Sequence, residues 1–223
     1  MILYLGLNPS FAKRYSAVFQ PMIRIVPFSK RAPQMRRARQ FLVSASHILL
    51  TSPSSTRCFF ASIKKNISSS TLINKNFVTI GETTSSRVRA HFPNATIQQV
   101  PFPQAESFLP ILSSLSPEAS ILYPHSFLAR PIIRSFLEKL PNPFFAYPHY
   151  TVKPLKLPLK TFLPYKIIIL TSPSIVHAYA KLFPSLPRKE HWCLGKISAE
   201  AFTNTFGVSP SKILFSSQES TDC

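Results

Sequence analysis

The segment running from His47 to Ser55, HILLTSPSS, returns later in the chain from Lys166 to Ser174 as KIIILTSPS. A short aliphatic run closed by turn residues is the pattern of a strand buried on both faces of a parallel sheet. Ser-Pro after it supplies a helix N-cap followed by proline in the first turn. Phe59 and Ile63 stand at the same offsets from Thr51 as Tyr179 and Phe183 do from Thr171, and each pair is spaced as one apolar stripe on a helix. Both copies therefore predict strand, turn, helix.

A second echo follows in the same order. FVTIGETT, Phe77 to Thr84, leads to Val88 and Phe92, and WCLGKIS, Trp192 to Ser198, leads to Phe202 and Phe206, with matching offsets from Gly81 and Gly195. Glycine after a strand lets the backbone turn sharply or lets a ligand come close, and Thr84 or Ser198 can cap the following helix. Further strand and helix patterns lie at Ile2–Leu7, Met22–Val26, Ser120–Pro124, Phe127–Leu140 and Phe144–Tyr147. Strands alternating with helices, and two echoes in one order, predict an α/β protein of two similar domains.

Each domain is expected to be a parallel sheet flanked by helices. Because the part after Lys166 shows only two strand-helix units, the N-terminal strands are expected to complete its sheet. The predicted domains are 1–28 plus 158–223, discontinuous, and 33–150, inserted. Linkers at 29–32 and 151–157, poor in helical periodicity, would join them around a ligand cleft.

With 26 Lys+Arg against 8 Asp+Glu the formal charge is +18, which favours an anionic partner. The densest cluster, Lys30, Arg31, Arg36, Arg37 and Arg39, is too short and too mixed to be a nucleic-acid arm. The 22 prolines fall mainly at segment ends, as at Pro101, Pro103, Pro110 and Pro117, and mark loops. Cys58, Cys193 and Cys223 have neither disulfide nor zinc-site spacing, so a reducing compartment fits. The six histidines show no metal-ligand spacing either, and His191 falls in a strand where packing explains it. The N-terminal run meets Pro9 early and reads as a buried strand, and no aliphatic run approaches the ~20 residues of a membrane helix. These features predict a soluble cytoplasmic protein. No Ser/His/acid triad and no Gly-rich phosphate loop can be built from eight acids and four glycines.

Six motifs in order resemble uroporphyrinogen-III synthases across most of the chain. They are Thr51-Ser52-Pro53 after a strand, Gly81-Glu82-Thr83-Thr84, the strand and Arg-bearing helix expected from Ile121 through Ser126 to Arg130, Ala146-Tyr147 at a strand end, Thr171-Ser172-Pro173, and Gly195-Lys196-Ile197-Ser198. Two departures stand out: the last turn resembles Gly-Pro-Thr-Thr in relatives, and His125-Ser126 replaces a glycine often found after that strand. The tyrosine position is open between Tyr147 and Tyr150, which flank Pro148-His149.

The resemblance implies a cofactor-free monomeric enzyme, with no metal, no nucleic acid and no membrane as partner. Its substrate would be hydroxymethylbilane, a linear tetrapyrrole bearing eight carboxylates. The terminal hydroxyl leaves, a substituted pyrrole carbon is attacked to give a spiro intermediate, and ring D inverts before closure to uroporphyrinogen III. Helix N-termini and hydroxyls at Thr51, Ser52, Gly81, Thr84, Ser126, Thr171, Ser172, Gly195 and Ser198 would bind carboxylates, as would Arg130. Tyr147 would help the hydroxyl leave as a hydrogen-bond donor or weak acid. Holding a flexible substrate so that its ends meet would supply most of the catalysis.

Two other readings suit the same residues. One is a non-catalytic two-lobed module that closes on an anionic ligand or nucleic acid, and the other is a synthase-like protein that has lost activity through its altered last turn. Ser/Thr turns favour a carboxylate ligand over nucleic acid. Isomer analysis of the product separates enzyme from module.

Overall fold

The computed structural model describes residues 1–63, 69–102 and 104–214; Pro103 and Cys223 lie outside the described residues. Its strands are β1 (Ile2–Leu5), β2 (Val18–Phe19), β3 (Ile23–Pro27), β4 (His47–Leu50), β5 (Asn76–Ile80), β6 (Thr96–Val100), β7 (Ile121–Ser126), β8 (Phe144–Pro154), β9 (Ile167–Leu170), β10 (Glu190–Leu194) and β11 (Lys212–Leu214). The α-helices are α1 (Pro9–Arg14), α2 (Pro33–Ser44), α3 (Pro53–Ile63), α4 (Ser69–Ile73), α5 (Gly81–His91), α6 (Phe108–Ser113), α7 (Ile132–Leu137), α8 (Pro173–Leu182) and α9 (Lys196–Phe206). The chain divides into two compact units: Met1–Arg24 with the chain from Val152 onward, and Ile25–Thr151.

In the first unit five strands lie in the order β11-β10-β9-β1-β2, and each neighbouring pair is parallel. Leu3, Leu5, Ile168 and Leu170 meet Ile175 and Tyr179 of α8 and Phe202 of α9 on one face. Tyr4 and Ile169 meet Ala12 of α1 on the other. Aliphatic residues on both faces of a strand need such double cover, which is why Ile167–Leu170 is apolar without a break.

The second unit holds six strands in the order β3-β8-β7-β4-β5-β6. β4 pairs in parallel with β5 and β7, as do β5 with β6 and β7 with β8. Ile48, Leu50, Phe77 and Leu122 pack with Leu42 of α2 and Phe59 of α3. On the opposite face, Leu49, Val78, Ile121 and Tyr123 pack with Phe108 of α6 and Leu137 of α7. Two sheets built mainly of parallel strands and flanked by helices are thus the observed fold, and the predicted stripes Phe59/Ile63, Val88/Phe92, Tyr179/Phe183 and Phe202/Phe206 all face these cores.

One expected strand goes elsewhere. The segment Met22–Val26, expected in the sheet of β9 and β10, forms β3 and stands beside β8 in the six-stranded sheet. The short strand β2 already occupies the free edge of β1, with Leu3 against Val18 and Tyr4 against Phe19. Met22 itself stays in the first unit's core, where its carbonyl accepts from Leu155 N–H at 2.9 Å. Thr151–Pro154, expected as the start of a linker, is the end of β8.

Candidate active site

In the second unit the chain leaves β4 for β5 and β6 on one side, then returns to the other side of β4 for β7 and β8. The reversal between β4 and β7 is the topological switch point at which open α/β sheets bind ligands beyond their strand ends. Here β4 and β7 pair only through His47↔Ile121 and Ile48↔Leu122. Pro124, with no N–H to offer, falls where the ladder has ended.

Five polar side chains converge beyond that point. The Ser52 hydroxyl caps α3, accepting from Ser55 N–H at 3.0 Å. It also lies 3.3 Å from the Tyr150 hydroxyl, which in addition bonds the side chain of Ser126. Thr51 bonds the phenol of Tyr123. Beneath them the Ser55 hydroxyl contacts the Pro124 carbonyl at 2.9 Å and His149 Nε2 at 3.1 Å.

Burial sets the protonation states. It pushes the Tyr123 phenol up to about 12, with the Thr51 bond opposing, and raises Tyr150 against the pull of its serine partners. It pushes His149 down to about 3, helped by neighbouring His125, and lowers His125 as well. The group is therefore neutral near pH 7, with both phenols protonated and available as donors.

The strand end that carries Tyr150 is irregular. Tyr147 pairs with Pro124 and Pro148 with His125, but Ser126 pairs with Tyr150, so His149 is an extra residue in β8. Such a bulge re-aims the side chains that follow it. Tyr147 does not join the cluster. Its ring lies in the core with Leu42 and Phe59, stacked on Phe145 at a centroid distance of 5.6 Å, and burial raises its phenol far above the ordinary tyrosine range.

Other expected residues line the same strand edge in different ways. Gly81 opens α5 at φ +66°, and a Cβ there would meet nothing within 4 Å, so the glycine is required by conformation and leaves open space above the turn. Thr84 does not cap that helix. Ile80 occupies the cap position, and the Thr84 hydroxyl, on the helix's inner side, is buried without a partner among the described residues. Arg130 is half exposed and forms a two-pronged pair with Glu106, at 3.0 and 3.3 Å.

The first unit has its own switch point, between β1 and β9. Thr171 Oγ1 reaches across it to the Leu5 carbonyl at 3.4 Å. Ser172 caps α8 with extended backbone, and its carbonyl accepts from Ile175 N–H and Val176 N–H, yet its hydroxyl makes no cap bond. Gly195 precedes α9 at φ +78° and donates to the Leu214 carbonyl at 2.7 Å. Ser198 lies in the first helical turn, 3% exposed, and so does not cap it either; Lys196 and Ile197 are the exposed members of that turn.

Among the described residues no three of His, Cys, Asp and Glu gather to hold a metal ion, and no helix is long and apolar enough to cross a membrane.

The sequence profile described as uroporphyrinogen-III synthase HemD matches residues 12–212. The chain belongs to the uroporphyrinogen-III synthase family. Its fold is similar to that of a mutant uroporphyrinogen III synthase from the extremely thermophilic bacterium Thermus thermophilus, at a TM-score of 0.65 and 14% identity, over 95% of this chain and 91% of that one. The uroporphyrinogen-III synthetase of Helicobacter pylori 26695 aligns at a TM-score of 0.61 and 17% identity over the same shares. Comparison with curated proteins returns no match.

Sequence reasoning missed Tyr123, Ser55 and His149 as members of this polar cluster. Tyr123 and His149 sit within strands, where alternation alone reads them as packing. Ser55 follows its own motif by two residues, and a signal for its role was the second serine after Pro53.

Proposed function

We infer that this member of the synthase family performs the reaction the family is named for: it cyclises hydroxymethylbilane to uroporphyrinogen III, inverting ring D and releasing water. The observation that carries a site assignment is the Tyr150 hydroxyl, held by Ser52 and Ser126 at the β4/β7 switch point. We assign to Tyr150, not Tyr147, the hydrogen bond that eases departure of the substrate hydroxyl. A phenol whose pKa is raised stays protonated, so it donates to the leaving oxygen instead of acting as a base. The serines hold the phenol in one rotamer, which spares the reaction the cost of orienting it.

The carboxylates of the substrate are bound by the strand-end turns. Thr51, Gly81 and Arg130 serve in the second unit, with Thr171, Ser172, Gly195 and Lys196 in the first. The hydroxyl of Ser172 and the open space above Gly81 and Gly195 support that role. Thr84 and Ser198 support these turns from inside their helices. A net charge of +18 assists capture of a polyanion. The same reading takes the enzyme as a cytoplasmic monomer, in keeping with the free thiols of Cys58 and Cys193.

The test is to supply purified protein with hydroxymethylbilane and separate the products by isomer. Uroporphyrinogen III is the expected product; isomer I alone would overturn the assignment.

A further inference from the structure

His149 is the one residue of the β8 bulge without a partner in β7. Residues paired across parallel strands point to the same face, so the register decides what stands beside Ser126. In an unbroken pleat that neighbour would be His149. With His149 inserted it is Tyr150, whose hydroxyl can then reach both Ser126 and Ser52.

The inserted side chain is fixed by a chain of bonds whose direction can be worked out. Ser55 has one hydroxyl proton, and the Pro124 carbonyl can only accept, so Ser55 donates to Pro124. Ser55 Oγ must therefore accept from His149 Nε2–H at 3.1 Å. The neutral ring then carries its proton on Nε2, and Nδ1 is left as a bare acceptor, buried and without a partner among the described residues. Ser55 is fully buried and His149 is 1% exposed, so water does not compete for this bond. The backbone locks the same residues: the His149 carbonyl accepts from Phe28 N–H at 3.0 Å and the Tyr150 carbonyl from Phe127 N–H at 2.8 Å. The His149 ring also meets Tyr147 and Tyr150 edge-on, at centroid distances of 5.8 and 5.0 Å.

We propose that His149 is a positioning residue for the reaction: its Nε2–H bond to Ser55, itself tied to Pro124, holds the β8 bulge that sets the Tyr150 hydroxyl between Ser52 and Ser126. This rests on the assignment of Tyr150 as the tyrosine that acts on the leaving hydroxyl. An unpartnered Nδ1 is a standing cost to stability, and a role in placing Tyr150 explains why a histidine sits there.

The experiment is a double-mutant cycle on turnover. His149→Leu, which removes the donor, should lower kcat roughly tenfold or more while changing KM less than about twofold, as a small misplacement of a reacting group does. His149→Gln, whose side-chain amide supplies an N–H at similar reach, should recover most of the loss. Ser55→Ala should reproduce the His149→Leu effect, and keeps the test open if His149→Leu does not fold. In a Tyr150→Phe background, His149→Leu and Ser55→Ala should cost less than about a further twofold, because the hydroxyl they position is gone. If either loss is the same factor with and without the Tyr150 hydroxyl, or His149→Gln is no better than His149→Leu at equal thermal stability, the proposal fails. Tyr150→Phe leaving turnover unchanged would instead sink the assignment of Tyr150 itself.

Discussion

The two Thr-Ser-Pro turns start from nearly the same sequence and end with different hydrogen bonds. Ser52 spends its hydroxyl on capping α3 and on Tyr150, whereas Ser172, in the same place before α8, makes no side-chain cap bond. Thr51 bonds a tyrosine from the neighbouring strand, and Thr171 bonds the backbone end of β1. Local sequence thus dictates the shared backbone path, strand into proline-started helix, in both units. What the hydroxyls do depends on which strand the topology brings alongside. In the second unit that neighbour is β7, followed by the bulged β8 and its tyrosine. In the first it is β1, which ends in a turn toward α1. The second unit therefore has a bonded hydroxyl cluster at its switch point, and the first leaves the Ser172 hydroxyl without a cap bond.

The largest effect expected tests what the units share. Each buries a histidine kept neutral: His149 against Ser55, pushed by burial down to about 3, and His191 against the Tyr179 hydroxyl at 3.1 Å, pushed by burial down to about 4. Between these values and the unperturbed 6.5 the unfolded chain binds more protons than the folded one. Stability therefore rises with pH across that window. It is complete above about pH 6.5 and is lost on acidification at about 1.4 kcal/mol per pH unit for each histidine. Denaturant titrations at several pH values should show this slope, and His191→Gln should flatten it. A slope unchanged in that variant would remove the first unit from the comparison.

Next in size is the contrast between the two tyrosines of β8. Tyr150→Phe should lower kcat about 10- to 100-fold, the worth of a hydrogen bond to developing charge, with little change in KM. Tyr147→Phe should change kcat less than about twofold, since its ring belongs to the core. Steady-state kinetics of both variants decide the matter, and the reverse ranking would return the role to Tyr147.

The paired serines give a smaller difference. Ser52→Ala removes a formed cap and should cost about 1 kcal/mol of stability. Ser172→Ala should leave stability nearly unchanged and act on KM instead. Equal losses in thermal unfolding would mean that both turns cap alike and the contrast is void. Smallest is the exposed Arg130–Glu106 pair, whose removal should cost no more than about 0.5 kcal/mol. Glu106→Ala frees Arg130 and should lower KM, while Arg130→Ala should raise it.

Much of the fold was legible because it is written in local terms. The runs Ile48–Leu50 and Ile167–Leu170, the Ser-Pro starts and the glycines at 81 and 195 each constrain the backbone within a few residues. The placement of β3 was not, because β2 takes the edge of β1 and β3 pairs instead with β8, a strand far along the chain. The site was readable in its turns and hidden in its geometry. Thr84 and Ser198 have the spacing of caps but lie on the inner sides of their helices. Nothing in Tyr-Pro-His-Tyr tells which tyrosine is turned outward until the one-residue mismatch between β7 and β8 is seen.

The pairing of Ile2–Leu5 with Ile167–Leu170 has a consequence for biosynthesis. On the ribosome, the first strand to be made has no central partner until some 165 residues later, whereas the parallel pairings among β4 to β8 close within a contiguous stretch. The inserted unit can thus mature while its host is still being translated, and the apolar β1 waits uncovered in the meantime. Nascent chains released before Leu170 should resist protease across Ile25–Thr151 and be cut readily near their N-terminus.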